Sequence, residues 1–595
     1  MAARLLRRTL GIVLLVLSVT SSRAQERVRT SETLLQSLIP ANDASTTSTA
    51  PVSAYEKRWP LHGAAFRGDL TQIRRSLTPG VDIDARDSWG RTPLDYAAAL
   101  ESPDATDLLL SKGADPSAAD PATSVTPLHM AAFYGRIGPA ESLLNHGARV
   151  NARHRRYGIT PLHIAASLQE RGMADFLTSK GADAGIQDEF GLTPDRLAAL
   201  MREREKRQLL PMAQAPKGFD PRAVVAIIQF KITGRNMEFA WASGAAIGDG
   251  SAIVTAAHLL KGKGSFRGLF ALSPLTGKMC ETEMLAIEPE KDVVVLRAPW
   301  GRHPALAVAT EEELARAKEI IVAGYSYRQK PKNEHPKELL MERLPLLKVY
   351  RKDDAYRTTT DGDPRTLGMA LGGAKYAGDG WSGSPLILPE SGRLAGIQCL
   401  RSRYGQFGTE ETSRTQSPAP EKERLVFCHV LGSNVHSIRA LLRESSVPDT
   451  PPPLPMGFTV PANGKDAYEA FGALFDAVLN GDSERLTPSW KRYKAIRPDS
   501  PEGHLLLAWA NAEWTRQAPD DQKAKYRDDA EGFFRWAIHF SPNSPTAHAG
   551  YGLLLLQRGR AEEAIREFEK CLSARPKEPF IESLRRTARE ALSRS

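Results

Sequence analysis

The sequence predicts a multidomain protein: a stacked helical solenoid, then an all-β domain, then a second helical array. Three observations carry this reading. Pro60, Pro93, Pro127, Pro161 and Pro194 recur at intervals of 33, 34, 34 and 33 residues. From 219 onward this pattern gives way to short runs rich in Val, Ile and Ala, separated by Gly, Pro and charged turns. After the Pro-rich stretch 446–464 an apolar helical pattern returns and holds to the last residues. At 595 residues the chain is far beyond the ~250–300 at which a single hydrophobic core stops growing, so several cores are required.

The N-terminal segment 1–24 places a basic stretch before apolar Leu10–Val19 and ends with Ser22 and Ala24 bracketing Arg23. That layout predicts a secretory signal peptide cleaved after Ala24. The apolar run is about half of what a membrane span needs. Removing Arg4, Arg7, Arg8 and Arg23 from the formal +9 leaves +5. This mild excess is spread along the chain, so no nucleic-acid partner is inferred. No other stretch could cross a bilayer, so the mature protein is expected to lack an integral membrane segment and to reside in a periplasm or outside the cell. Residues 25–57, rich in Ser, Thr and Ala without periodicity, read as a disordered tether. Four cysteines (Cys280, Cys399, Cys428 and Cys571) are too few for a disulfide scaffold and lack metal-site spacing. Cys399 and Cys428 could pair across neighbouring strands, and four buried free thiols are equally compatible with the sequence.

Residues 58–207 form the solenoid. The units read "WPLHGAAFRG", "RTPLDYAAAL", "VTPLHMAAFYG", "ITPLHIAAS" and "LTPDRLAAL". Thr92, Thr126 and Thr160 are placed to cap helices, each with proline at the first helical position, where a missing N–H costs nothing. Gly113, Gly147 and Gly181 follow the second helix of their units, where a left-handed residue ends a helix. A 33-residue period opened by Thr-Pro-Leu-His resembles the ankyrin repeats. Four repeats and a partial fifth follow, enough for a continuous stacked core. The resemblance implies binding of protein partners.

The all-β domain spans 215–445. "SGAAIGDGSAIVTAAH" ends at His258, "EKDVVVLR" contains Asp292, and "GDGWSGSPL" contains Ser382. A serine hydroxyl is a poor nucleophile until an imidazole can take its proton, and the imidazole must be held in one tautomer. The order His, Asp, Ser, each in its own local motif, resembles the chymotrypsin/trypsin-like serine peptidases over roughly 219–443. The resemblance implies a double β-barrel, hydrolysis of peptide bonds, and no metal or organic cofactor. It makes His258 the general base, Asp292 the residue that orients it, and Ser382 the nucleophile. The amides of Gly380 and Ser382 would form the oxyanion hole, worth about 3–4 kcal/mol per donor. The primary pocket would be shaped by Tyr376 and by Gly396, Ile397 and Gln398, with no aspartate at its base. Trp381, directly before the serine, departs from the family, which more often has a small polar or acidic residue there. Residues 401–424 read as a polar surface insertion. A catalytically silent protease fold serving as a scaffold is the alternative.

Residues 446–464 read as an extended Pro-rich linker, and 465–595 as helical. "SPTAHAGYGLLLLQRGRAEEAIREFEKCLSARP" is similar to a tetratricopeptide repeat, with His548 in the usual tryptophan position, then Tyr551, Gly552, Leu555, Ala564, Phe568, Cys571 and Pro576. An earlier copy runs through His504, Leu507, Ala508, Ala530, Phe534, Ala537 and Pro542, with ten extra residues, "APDDQKAKYR", expected in its inter-helix turn. A degenerate third copy is expected over about 465–500. Such arrays imply recruitment of protein or peptide substrates and of protein partners.

Overall fold

The computed structural model describes residues 58–594 except 89, 261–263, 326–338, 351–355, 361–362, 368, 373, 375–380, 405–426, 454–463 and 480. The expected signal peptide, the tether and most of the 401–424 insertion lie outside the described residues, as does the second half of the linker.

The first compact unit contains the described residues of 1–207 and 402–429. It comprises helix pairs α1 (Pro60–Arg67) and α2 (Leu70–Ser76), α3 (Pro93–Ala97) and α4 (Asp104–Ser111), α5 (Pro127–Tyr134) and α6 (Ile137–Asn145), α7 (Pro161–Ser167) and α8 (Arg171–Ser179), followed by α9 (Pro194–Lys206). Thr92, Thr126 and Thr160 cap α3, α5 and α7, each with proline in the first turn. Gly113, Gly147 and Gly181 take φ of 92°, 89° and 87°, the left-handed exit anticipated from the sequence.

The histidines of the repeated motif have a role that the spacing alone does not reveal. His163 Nδ1 accepts from Thr160 N at 3.2 Å, and its Nε2 lies 3.0 Å from Leu192 O of the next repeat. His129 repeats this with Thr126 N and Ile159 O. One nitrogen must accept and the other donate, so each ring stitches two repeats together only while it is neutral. Burial lowers His129 and His163 to about 4.

The second unit holds 208–401 and 430–595. Its first sheet is antiparallel, in the order β5 (Met279–Glu281), β4 (Ser265–Leu272), β1 (Val224–Thr233), β2 (Asn236–Ile247), β3 (Ala252–Ala256), β7 (Val293–Arg297), β6 (Glu283–Glu288). After α10 (Glu311–Arg316), a second sheet closes into a barrel through β12 (Met369–Leu371), β15 (Phe427–Gly432), β14 (Leu394–Tyr404), β13 (Pro385–Ile387), β8 (Glu319–Tyr325) and β9 (Leu339–Val349). β10 (Tyr356–Thr360) and β11 (Asp363–Leu367) pair as a separate hairpin. α11 (Val435–Glu444) packs back on β6 and β7.

The C-terminal helices are α12 (Gly464–Leu479), α13 (Ser483–Ile496), α14 (Pro501–Gln517), α15 (Asp520–Phe540), α16 (Pro545–Gln557), α17 (Ala561–Ala574) and α18 (Pro579–Arg594). Three pairs and a closing helix are consistent with a repeat array. A Cβ on Gly552 would stand 2.6 Å from the Phe568 ring, so only glycine allows α16 and α17 this approach. One expectation is corrected. The extra residues "APDDQKAKYR" do not enlarge the turn, which is Ala518 and Pro519 alone; eight of the ten extend α15 to 21 residues. Pro519 cannot continue α14, and Asp520 and Asp521 favour a helix start immediately after it.

These helices cover one face of the first sheet. Trp509 meets Phe230 edge-on at 5.1 Å, Phe475 meets Trp241 at 5.2 Å, and Thr546 N donates to Glu281 at 3.1 Å.

Candidate active site

β3 and β7 pair with Ala256 opposite Val293, so the residues just after one strand face those just before the other. Past Ala256 the chain makes a tight turn, Ala257–Leu259, that carries His258. Ahead of Val293, Asp292 adopts a left-handed conformation (φ 56°), which a short polar residue tolerates. The two segments then lock together. Ala257 N donates to Asp292 O at 3.1 Å, His258 N to Asp292 Oδ1 at 2.7 Å, and His258 Nδ1 lies 2.8 Å from Asp292 Oδ2. A carboxylate only accepts, so the Nδ1 proton points at Asp292, leaving the Nε2 lone pair of the neutral ring free to accept a proton. Asp292 is 1% exposed, which keeps water from competing for these bonds.

Ser382 sits at the second position of a reverse turn. Ser384 N donates to Trp381 O at 2.9 Å and Gly383 has φ 79°, the signature of a type II turn. A Cβ on Gly383 would overlap Thr255 Oγ1 and Ser243 O, so the position requires glycine for space as well as for conformation. Trp381 is fully buried and anchors the turn from below.

Ser243 is the joint between these parts, and sequence reading assigned it only to a motif. Its N–H donates to Ser382 O at 2.9 Å, its carbonyl accepts from Thr255 Oγ1 at 2.7 Å, and its Oγ accepts from Tyr325 N of β8 at 3.0 Å. One residue of the first sheet therefore holds the serine turn and the barrel together. Among the described residues no hydrogen bond joins Ser382 Oγ to His258 Nε2. Such links are often long in the absence of substrate.

Gly380 and Tyr376, the expected oxyanion donor and pocket wall, lie outside the described residues. Gly396, Ile397 and Gln398 are buried in the barrel between β13 and β15. Gln398 N donates to Ser384 O at 2.9 Å, its carbonyl accepts from Gly383 N at 2.8 Å, and Ile397 O accepts from Ser433 N at 3.0 Å. They support the serine turn. Cys399, the next residue, reaches the site. It is buried, with its Sγ 3.3 Å from Ile397 O and 3.6 Å from Asp292 O. The side chain of Cys428, its suggested partner, lies outside the described residues. No group of three His, Cys, Asp or Glu able to hold a metal occurs among the described residues. Nor is any described helix long and apolar enough to cross a membrane.

Comparison with known proteins agrees with this architecture. Residues 242–397 match the model of the trypsin-like peptidase domain, and 118–188 and 94–138 match two ankyrin-repeat models. Among curated proteins the chain is 41% identical over 75 residues to cyclin-dependent kinase 4 inhibitor B of Bos taurus, covering 13% of this chain and 56% of that protein. It is 40% identical over 75 residues to cyclin-dependent kinase inhibitor 2A of Homo sapiens, covering 13% of this chain and 47% of that protein. The match thus spans about half the length of these relatives. The chain carries ankyrin repeats over 94–188 and a trypsin-like peptidase domain over 242–397.

Proposed function

We propose that this protein is a periplasmic or extracellular serine endopeptidase whose two helical arrays recruit protein substrates or partners to the peptidase domain. The observation that carries the reading is the pair His258–Asp292, with the buried Asp292 bonded to both the ring and the backbone amide of His258. In this reading Ser382 Oγ attacks the scissile carbonyl as its proton passes to His258 Nε2. His258 then gives that proton to the leaving amine, and water repeats the sequence to release the acyl group. Asp292 stabilises the imidazolium. Tethering by the arrays raises the local concentration of substrate around the site.

The alternative is a peptidase fold kept as a binding scaffold, in which Ser382 is never acylated. Fluorophosphonate labelling of the full chain separates the two. Labelling of wild type and its loss in Ser382→Ala are expected; a wild-type protein that stays unlabelled would overturn the enzymatic reading.

A further inference from the structure

We propose that Arg267 is a positioning residue for His258, and that the C-terminal helices hold Arg267 in place through Arg575. The proposal rests on the reading of His258 as general base and concerns how that residue is held. Within the turn Ala257–Leu259, Leu260 N donates back to Ala257 O at 3.0 Å, and the two carbonyls that follow are reached by side chains from outside the turn. His258 O accepts from Arg267 Nη1 at 2.7 Å, and Leu259 O accepts from the Gln229 side chain. Both donors stand on one face of the first sheet, because the register pairs Gln229 with Leu269 and Lys231 with Arg267.

The opposite face of the same two strands belongs to the helices. Phe230 packs on Trp509, and the Arg575 guanidinium lies over the Phe266 ring at 5.4 Å. Gly268 leaves room for Thr546, where a Cβ would overlap its hydroxyl. Arg575, the C-cap of α17, donates Nη1 to the carbonyl of Arg267 at 2.8 Å. A hydrogen-bonded path thus runs from Arg575 to the backbone of Arg267 and from its side chain to the backbone of His258. Side chains alternate across a strand, so a shift of β4 driven from the helical side moves the guanidinium on the other.

Arg267 touches neither the reacting atoms nor Asp292 in any described contact, so its effect is on geometry. The test compares wild type, Arg267→Met, Arg267→Lys and Arg575→Gln in the full chain. It measures the fluorophosphonate labelling rate per folded molecule, hydrogen exchange of amides 257–260, and the melting temperature. Arg267→Met is expected to slow labelling about 10- to 100-fold, speed exchange of those amides, and move the melting temperature by no more than about 3 °C. Arg267→Lys should recover most of the rate, since a cationic donor is restored. Arg575→Gln should act in the same direction more weakly, and does so even if Arg267→Met fails to fold. Unchanged labelling and unchanged exchange in both Arg267→Met and Arg575→Gln would overturn the proposal. A wild type that never labels defeats the enzymatic reading alone; exchange at 257–260 then decides the positioning role, with faster exchange in Arg267→Met supporting it and equal exchange overturning it.

Discussion

At the scale of the residue, the candidate site is held by backbone groups as much as by side chains. Gly383 shows this most directly. Its φ of 79° and the absence of space for a Cβ mean that Gly383→Ala must displace both Thr255 and Ser243. We expect a loss of about 2–4 kcal/mol in urea unfolding together with loss of fluorophosphonate labelling. A variant that melts and labels like wild type would contradict this account of the turn. The pairing of His258 with Asp292 was legible because each lies in a local motif of residue types that the chemistry demands. Ser243 was not, because its three bonds reach Ser382, Thr255 and Tyr325 and nothing in its own neighbourhood announces them. Trp381 was visible only as a departure from the family; the structure accounts for it as buried packing under the turn.

At the scale of the element, the repeats were read from spacing, and their pH response follows from what fills them. Burial lowers His129 and His163 to about 4 and His154 to about 3, against ~6.5 in an unfolded chain. Between those values the unfolded chain binds more protons, so these groups remove stability as pH falls from about 6.5. Burial raises Asp95 and Asp188 to about 6, which acts oppositely: their contribution is present below the unfolded value and is lost as pH rises through about 6. Three histidines against two aspartates leave roughly one net proton, or about 1.4 kcal/mol per pH unit, favouring neutral pH. His62, lowered, and Asp84, raised, add one further term to each side. A 58–207 fragment should therefore show a lower urea midpoint by circular dichroism at pH 4.5 than at pH 6.5; an equal or higher midpoint would refute the balance. The α14–α15 boundary marks where spacing misled. A ten-residue surplus looks the same in sequence whether it widens a turn or lengthens a helix, and Pro519 with Asp520 decides it locally.

At the scale of the whole molecule, two helical arrays and an all-β domain were legible, but the layer that covers the first sheet was not. Thr546 N finds Glu281 across 265 positions, and no periodic pattern encodes which helix covers which strand at that range. The consequence is testable. A chain stopped at residue 449 would bare Phe230, Phe266 and Phe270, all buried in the full structure. It is expected to bind a hydrophobic dye and lose its cooperative melt, whereas a stable monomer with a sharp melt would show the helices to be dispensable. The order of synthesis gives this covering layer a further meaning. The ribosome completes β7 about 280 residues before it reaches Arg575, a delay of roughly 14–56 s at 5–20 residues per second. Through that interval the strand that braces His258 has no outer layer. On the proposed reading, a nascent chain that has not reached Arg575 lacks the contact that holds Arg267, and with it the brace on His258.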